Sequence, residues 1–333
     1  MKITIKQIAK LADVSIATVS MIVNKNDNRI SQQTRERVLA VIEEYGYIPN
    51  RVASSMITKK TKAIGLIIPD ITNPFFPKLA RGVEDLVNRE GYTLILCNSD
   101  NNNEKEDAYI EMLREKMVDG IIFTATSGRT KVSSLLRKSD IPFIMVDRDI
   151  EELGVHGSVC VDNEKGAFEA VQYLISRGYK TIIHLSGPMF SKTSSDRYKG
   201  YLRAHKEAQL EKPASHLIEG SYSIDSGYNA ALTVIKDNIP FDSFFCGNDL
   251  IAIGAIKVLK DNHFKIPNDI GVVGYDDINM ATIISPELTT VSQPIYELGF
   301  EAANLLIKMI KGEEVSKLNY TLETKLTIRE STK

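Results

Sequence analysis

No apolar run in this sequence comes near the ~18 residues that a membrane-spanning helix needs, so no membrane partner is expected. The first residues, "MKITIKQIAK", lack the apolar stretch of a secretory signal. Cysteine is scarce: Cys97, Cys160 and Cys246 are odd in number and far apart. They suit reduced thiols in a cytoplasmic protein rather than a disulfide framework. Catalytic signatures are missing as well. No G-x-G-x-x-G follows a first strand, no G-x-x-x-x-G-K occurs, and no G-x-S-x-G elbow is present. His156, His184, His205, His216 and His263 show no metal-ligand spacing. An enzyme is therefore not expected, and neither a cofactor nor a metal is assigned.

What is present is an ordinary globular composition with an uneven charge distribution. A chain of 333 residues implies two or three domains. Its 43% apolar and 25% charged residues can build a sizeable core. The net charge of −2 conceals a basic head, because residues 1–62 carry 11 Lys and Arg against 5 Asp and Glu, a net +6. The remaining residues carry 30 against 38, a net −8. Such a head is suited to a polyanion, although a charge run alone is also what a solvated face looks like.

The head has local order. Ile5, Ile8, Ala9 and Ala12 fall on one face of a short helix. In "LADVS", Asp13 tolerates a left-handed turn and Ser15 is a good N-cap. A second helix over about 16–24 buries Val19, Ile22 and Val23 and leaves Ile16, Ala17, Thr18, Ser20, Met21 and Asn24 outside. Ser31 caps a third helix expected to bury Val38, Leu39, Ile42 and Tyr45. Two short helices joined by a tight turn form a helix-turn-helix, whose second helix enters the major groove. Shape alone fits a plain three-helix bundle equally well.

The residues decide between the two. "TIKQIAKLADVSIATVSMIVN" followed by "TRERVLAVIEEYGYIPNRVA" resembles the headpiece of the LacI/GalR family of bacterial repressors, almost without a gap from Thr4 to Ala53. The next segment, "NRVASSMITKKTKAIG", resembles that family's hinge, which folds into a short helix on the operator and wedges a leucine into the minor groove. Met56 occupies the wedge position beside Ala53, and methionine is an acceptable apolar wedge. Lys59, Lys60 and Lys62 suit phosphate contacts or a charged linker. The resemblance implies DNA contacts by Thr4, Ser15, Ile16, Ala17, Thr18, Ser20, Met21 and Asn24 in the head, and by Asn50, Ala53 and Met56 in the hinge. It divides the chain into a headpiece (1–48), a hinge helix and linker (49–61) and an effector-binding, dimerising core (62–333).

From about Thr61 apolar strands alternate with amphipathic helices. One series runs through "AIGLIIPD", "TLILCNSD", "DGIIFTAT" and "IPFIMVD", and a second through "SVCVDN", "TIIHLSG", "SFFCGND" and "IGVVGYDD". Such strands belong in parallel sheets covered on both faces, so two doubly wound subdomains are expected, with ligands at the C-terminal strand ends. Carboxylates, amides and guanidiniums there suit the hydroxyls of a sugar, and aromatics suit its faces.

This body resembles the same family's core, itself similar to periplasmic sugar-binding proteins, through "GYDDINMATIISPELTTVSQP" and the terminal "RES". The resemblance makes Asn73, Phe75, Phe76, Asp147, Arg148, Arg197, Asn248, Asp276 and Gln293 the expected effector site, similar to that of ribose-binding proteins. "LARGVED", "LILCNSDNN" and "MVDGIIF" resemble ribose-operon repressors in particular. Tyr275 stands where ribose-binding proteins stack a phenylalanine, which leaves room for another pentose, a hexose or a phosphorylated sugar. The expected subdomains are about 62–161 with 292–321, and 162–291 with 322–333, crossing near 161–163, 290–293 and 322–330, as a closing hinge requires. A dimer on a palindromic operator, released by a small sugar with ribose favoured, is the implied activity. An alternative is a catabolite-control regulator whose corepressor is a phosphorylated carrier protein. A plain sugar receptor would need an export signal and no basic head.

Met21 departs from the family, which commonly places arginine there to read guanine. Methionine offers only apolar contact, for instance to a thymine methyl. Binding-site selection should return operators that differ at one half-site position between the wild-type and Met21→Arg proteins; identical operators would contradict this reading.

Overall fold

In the computed structural model the described residues are 3–23, 27–48, 60–129, 134–137, 139–148, 150, 157–210 and 216–333. Asn24, Asn50, Ala53 and Met56, with the rest of the expected hinge over 49–59, lie outside them. The chain forms two units, Met1–Thr61 and Lys62–Lys333.

In the first unit, α1 (Ile5–Leu11) opens with a capping box: Thr4 Oγ1 accepts from the Gln7 amide and Gln7 Oε1 accepts from the Thr4 amide. Asp13 takes the left-handed turn at φ 49°. Ser15 Oγ then accepts from the Thr18 amide at 3.0 Å and starts α2 (Ile16–Val23). Ser31 likewise caps α3 (Gln32–Glu44) through the Thr34 amide. Ile8, Ala9, Ala12, Val19, Ile22 and Val38 make the core. Leu39 and Tyr45, expected inside, are 45% and 47% exposed. The inward stripe of α3 is Val38, Val41 and Ile42. Leu39 falls off that stripe, and Tyr45 stands past the last helical residue at the C-cap.

Among the described residues of the second unit there are two six-stranded sheets. The first lobe contains β1 (Ala63–Ile68), β2 (Thr93–Asn98), β3 (Gly120–Phe123), β4 (Phe143–Val146), β5 (Ser158–Val161) and β11 (Asn319–Leu322), in the order β11-β5-β4-β3-β1-β2 and all parallel. Its helices are α4 (Phe75–Arg89), α5 (Asn103–Glu115), α6 (Ser134–Arg137) and α11 (Ile295–Lys311). The second lobe contains β6 (Ile182–Ser186), β7 (Leu217–Glu219), β8 (Ser243–Cys246), β9 (Gly271–Asp276), β10 (Thr289–Ser292) and β12 (Lys325–Thr327), in the order β12-β10-β9-β8-β6-β7. Its helices are α7 (Asn163–Ser176), α8 (Lys192–Glu207), α9 (Ile224–Lys236) and α10 (Asp249–Asp261).

Two details differ from the sequence pattern. "SVCVDN", read as the start of the second series, supplies β5, which pairs with β4 and β11 in the first sheet. The chain changes lobes only afterwards, at Asp162, whose side chain caps α7 through the Lys165 amide. In addition, β12 runs antiparallel to β10. The cause lies in the connections. Strands β5 and β10 end at the cleft and are each followed by a helix, which carries the chain back to the far side of the next lobe. Strand β11 also ends at the cleft, but only Glu323 and Thr324 separate it from β12. The chain therefore enters the second sheet from its cleft end and must run backwards. Lys62 lies 4.2 Å over the Tyr92 ring, and its amide donates to Asp119.

Helices α4 and α11 cross on glycine. A Cβ at Gly299 would stand 2.1 Å from the Leu79 carbonyl oxygen, and one at Gly82 would stand 2.1 Å from that of Tyr296. Any side chain at either position must push the helices apart. Gly299→Ala should destabilise the core by about 1–3 kcal/mol, the usual cost of overpacking, read as a lower midpoint in urea by circular dichroism. An unchanged midpoint would contradict this packing.

Candidate effector cleft and DNA-facing helix

On α2, Ile16 and Met21 are 44% and 40% exposed, Ala17 is exposed, and Thr18 and Ser20 are half-buried. Ser15 and Thr4 are exposed but spend side-chain hydrogen-bonding capacity on helix caps. The outward face is thus largely apolar at Ile16, Ala17 and Met21, a surface suited to thymine methyl groups.

In the core, eight of the nine expected effector residues line one narrow cavity of about 20 Å³: Asn73, Phe75, Phe76, Asp147, Arg148, Arg197, Asn248 and Asp276. Thr193 and Tyr222 complete the lining. Sequence reasoning missed both. Thr193 lies four residues before Arg197 on α8, so its sharing of Arg197's face could have been read from helical spacing. Tyr222 follows β7, a strand of three residues too short to show alternation. Its hydroxyl pairs with Ser194 Oγ at 2.6 Å and with Thr193 Oγ1 at 3.2 Å.

The apolar wall comes from the first lobe. Asn73 Oδ1 accepts from the Phe75 amide and so fixes the entry to α4. Phe75 and Phe76 then pack edge to face with centroids 5.1 Å apart.

The charged wall comes from both lobes. Asp147 and Arg148 follow β4, with 3.5 Å between carboxylate and guanidinium. Arg197 and Asp276 stand 3.6 Å apart in the second lobe. All four side chains are buried. Asp147 (φ 67°) and Asp276 (φ 114°) both have positive φ, a conformation most residues avoid and one that can mark a functional constraint. Arg197 donates to Asn163 Oδ1 and to the Gly247 carbonyl. Gln293, at the crossing between β10 and α11, donates to Asp276 Oδ1 at 2.7 Å and so ties the hinge to the site without lining the cavity. Asn248 caps α10 through the Ile251 amide, which leaves its Nδ2 donors for the cleft.

Tyr275 is not a cavity wall. It is fully buried under the Arg197 guanidinium, 3.7 Å from ring centroid to Cζ, and packs in the core beneath α7 and α8. It sits one residue before Asp276 on β9, so alternation turns it to the face covered by α7 and α8. Asp277 turns away as well, bound to Arg329 at 2.6 Å. Asp249 is structural: it accepts from Thr290 Oγ1 and from the Ile278 amide. Among the described residues no group of three His, Cys, Asp or Glu side chains is arranged to hold a metal. His184 is walled in by Tyr198, Tyr201 and Phe245, and burial pushes its pKa down to about 4.

A two-lobed body with polar groups converging at the strand ends of both halves is a cleft-type binding protein, joined here to a helix-turn-helix head. Residues 61–329 match the periplasmic binding proteins and sugar binding domain of LacI family, and residues 4–50 match the bacterial regulatory proteins of the lacI family. The chain belongs to the LacI family and is a DNA-binding transcriptional regulator with a sugar-binding domain.

It is 40% identical to the HTH-type transcriptional regulator RegA of Clostridium saccharobutylicum, over all of both chains. It is 39% identical to catabolite control protein A of Priestia megaterium, again over all of both. It is 38% identical to the ribose operon repressor of Halalkalibacterium halodurans, covering 99% of this chain and 97% of that one. Overall identity therefore does not single out the ribose repressors. Among solved structures, the lac repressor dimer bound to operator and the anti-inducer ONPF matches with a TM-score of 0.88 at 25% identity, covering 100% of this chain and 99% of that one. A LacI family regulator from Enterococcus faecium with bound ribose matches with a TM-score of 0.72 at 32% identity, over 81% and 98%. Among the described residues no helix is long and apolar enough to cross a membrane.

Burial pushes the Asp276 pKa up to about 7, against the pull of Arg197 and Gln293. A carboxyl whose pKa is raised by folding stabilises the folded state below its unfolded pKa, and that contribution is lost as pH rises through the folded value. In thermal melts without ligand, wild type should lose stability relative to Asp276→Asn as pH rises from 5 to 8. A constant or opposite difference would contradict this environment for Asp276.

Proposed function

We propose that this protein is a repressor of sugar-utilisation genes that binds a palindromic operator as a dimer and is released when a small neutral sugar, ribose favoured, enters the cleft. The observation that carries this reading is the cancellation of charge around the cavity. Asp147 and Asp276 oppose Arg148 and Arg197, all buried. A neutral polyhydroxylated ligand meets both donors and acceptors there, each guanidinium having a carboxyl beside it, whereas a phosphorylated sugar would need positive groups free of such neighbours. The Phe75–Phe76 wall suits the apolar face of a sugar ring, which the cleft can admit only by opening from its present narrow form. The name of the H. halodurans relative and the ribose in the E. faecium structure support the choice of pentose.

DNA contact falls to the outward face of α2, with the hinge over 49–61 supplying minor-groove contact, and the site of action is the cytoplasm. Exposed apolar side chains on both lobes favour pairing of cores. Ile71 and Leu96 (40% and 44% exposed) belong to the first lobe. Ile283 (78% exposed) precedes Ile284, which lines a second-lobe groove with Ile253 and Ile256 alongside Lys257, Lys260 and Asp261. Ligand releases DNA only if it binds more tightly to the core geometry that the operator disfavours.

A second reading rests on the 39% identity to catabolite control protein A: corepression by a phosphorylated carrier protein. The two separate in an operator gel shift at a stated salt concentration, since phosphate contacts make affinity steeply salt-dependent. Ribose should release the shifted band, with stabilisation in a thermal-shift panel. Retention with ribose, together with a response only to the phosphoprotein, would favour the second reading.

A further inference from the structure

Behind the first-lobe wall of the cleft lies a second polar cluster that lines no part of the cavity. Its centre is Glu106 on α5, fully buried. Glu106 Oε2 accepts from the Thr126 amide at 2.9 Å, and Oε1 lies 2.5 Å from Arg129 Nε. The residues at the start of α5 grip the same loop. Asn101 Oδ1 accepts from the Ser127 amide at 2.8 Å, and Asn103 Oδ1 accepts from Thr126 Oγ1. Arg129 Nη2 donates to the Asn103 carbonyl at 3.2 Å and to Asp107 at 3.0 Å. The loop from Thr124 to Arg129 follows β3 and has no regular structure of its own, yet it is fastened at Thr126, Ser127 and Arg129.

The other side of that loop faces the site. Arg148 Nη1 donates to the Ala125 carbonyl at 3.2 Å and to Ser127 Oγ at 3.0 Å. Those two bonds, with the longer contact to Asp147, fix the plane of a guanidinium that carries one of the cavity's two positive charges. A planar fork is useful to a ligand only when its orientation is set beforehand.

We infer that Glu106 and Ser127 are positioning residues for the sugar site: α5 clamps the 124–129 loop, and the loop orients Arg148 in the cleft. This rests on reading the cleft as a sugar site, and it adds residues that touch no ligand. Replacing the Glu106 carboxyl leaves Arg129 held only from the Asp107 side and weakens the grip on the Thr126 amide, so the loop shifts and Arg148 loses its anchor. Ser127→Ala deletes one anchor directly.

The test uses the full chain and two measurements. The first is the side-chain Nε–H signal of Arg148 by nuclear magnetic resonance, assigned through its loss in Arg148→Lys. The second is calorimetric affinity for D-ribose, D-xylose and D-glucose. In Glu106→Gln and Ser127→Ala the Arg148 signal should shift and broaden while second-lobe arginine signals stay put. Affinity for the bound sugar should fall ~10-fold in Ser127→Ala, as expected for a lost hydrogen bond to a charged group. The loss caused by Glu106→Gln should largely vanish in an Arg148→Lys background, because residues acting through one another are not additive. An unmoved Arg148 signal in folded Glu106→Gln, or the same loss of affinity in both backgrounds, would overturn the inference. If Glu106→Gln does not fold, Asn103→Ala carries the same readouts. If no sugar binds the wild type, the sugar reading fails, and the arginine signals alone decide the clamp.

Discussion

A guanidinium or carboxylate buried without a partner costs several kcal/mol, and the core of this regulator buries four such groups around one small cavity. Each lobe solves the problem internally. The first holds Asp147 beside Arg148, and the second holds Asp276 beside Arg197. Neither lobe therefore depends on the other to neutralise its charge, and the two can separate or approach without stranding an ion. The pairs are long, at 3.5 and 3.6 Å, so neither saturates the hydrogen-bonding capacity of its members. That spare capacity faces the cavity, where hydroxyl groups can use it.

The same cluster connects the cavity to the chain crossings. Gln293 lies between β10 and α11 and holds the Asp276 carboxylate, while Asn163, next to the crossing at Asp162, holds Arg197. Two of the three places where the backbone passes between lobes are thereby hydrogen-bonded to charged groups of the site. A ligand that reorients Asp276 or Arg197 acts on the segments about which the lobes turn. This is the physical form that coupling takes in a hinged binding protein: two arrangements of one packed element, biased by what occupies the cleft.

Much of the site was legible in sequence because its chemistry sits at one kind of address, the C-terminal end of a buried parallel strand. Asp147, Arg148 and Asp276 are found by that rule. Tyr275 shows where it needs a second one: the residue before Asp276 is just as near the strand end, but the pleat turns it under Arg197. Tyr222 escaped because β7 has no periodicity to read. Glu106 escaped for a different reason, since a glutamate in the charged run "NNNEKED" reads as solvated, and only the return of the 124–129 loop buries it. In the head, capping residues announced the second and third helices, whereas Leu39 shows that apolar character alone does not fix the inward face of a short bundle. The reversed β12 followed from a connection length that local pattern does not reveal.

The order in which the chain visits its lobes has a consequence for biosynthesis. Strand β11 forms one edge of the first sheet and β12 one edge of the second, and both come from residues 319–327. A ribosome that has finished the head and nearly all of the core has still not completed either half of the clamshell. The head, with its own core and caps, has everything it needs some 270 residues earlier in the chain. A frameshift near residue 318 would thus leave the DNA-binding head whole while unravelling the margins of both lobes of the sugar-binding domain together.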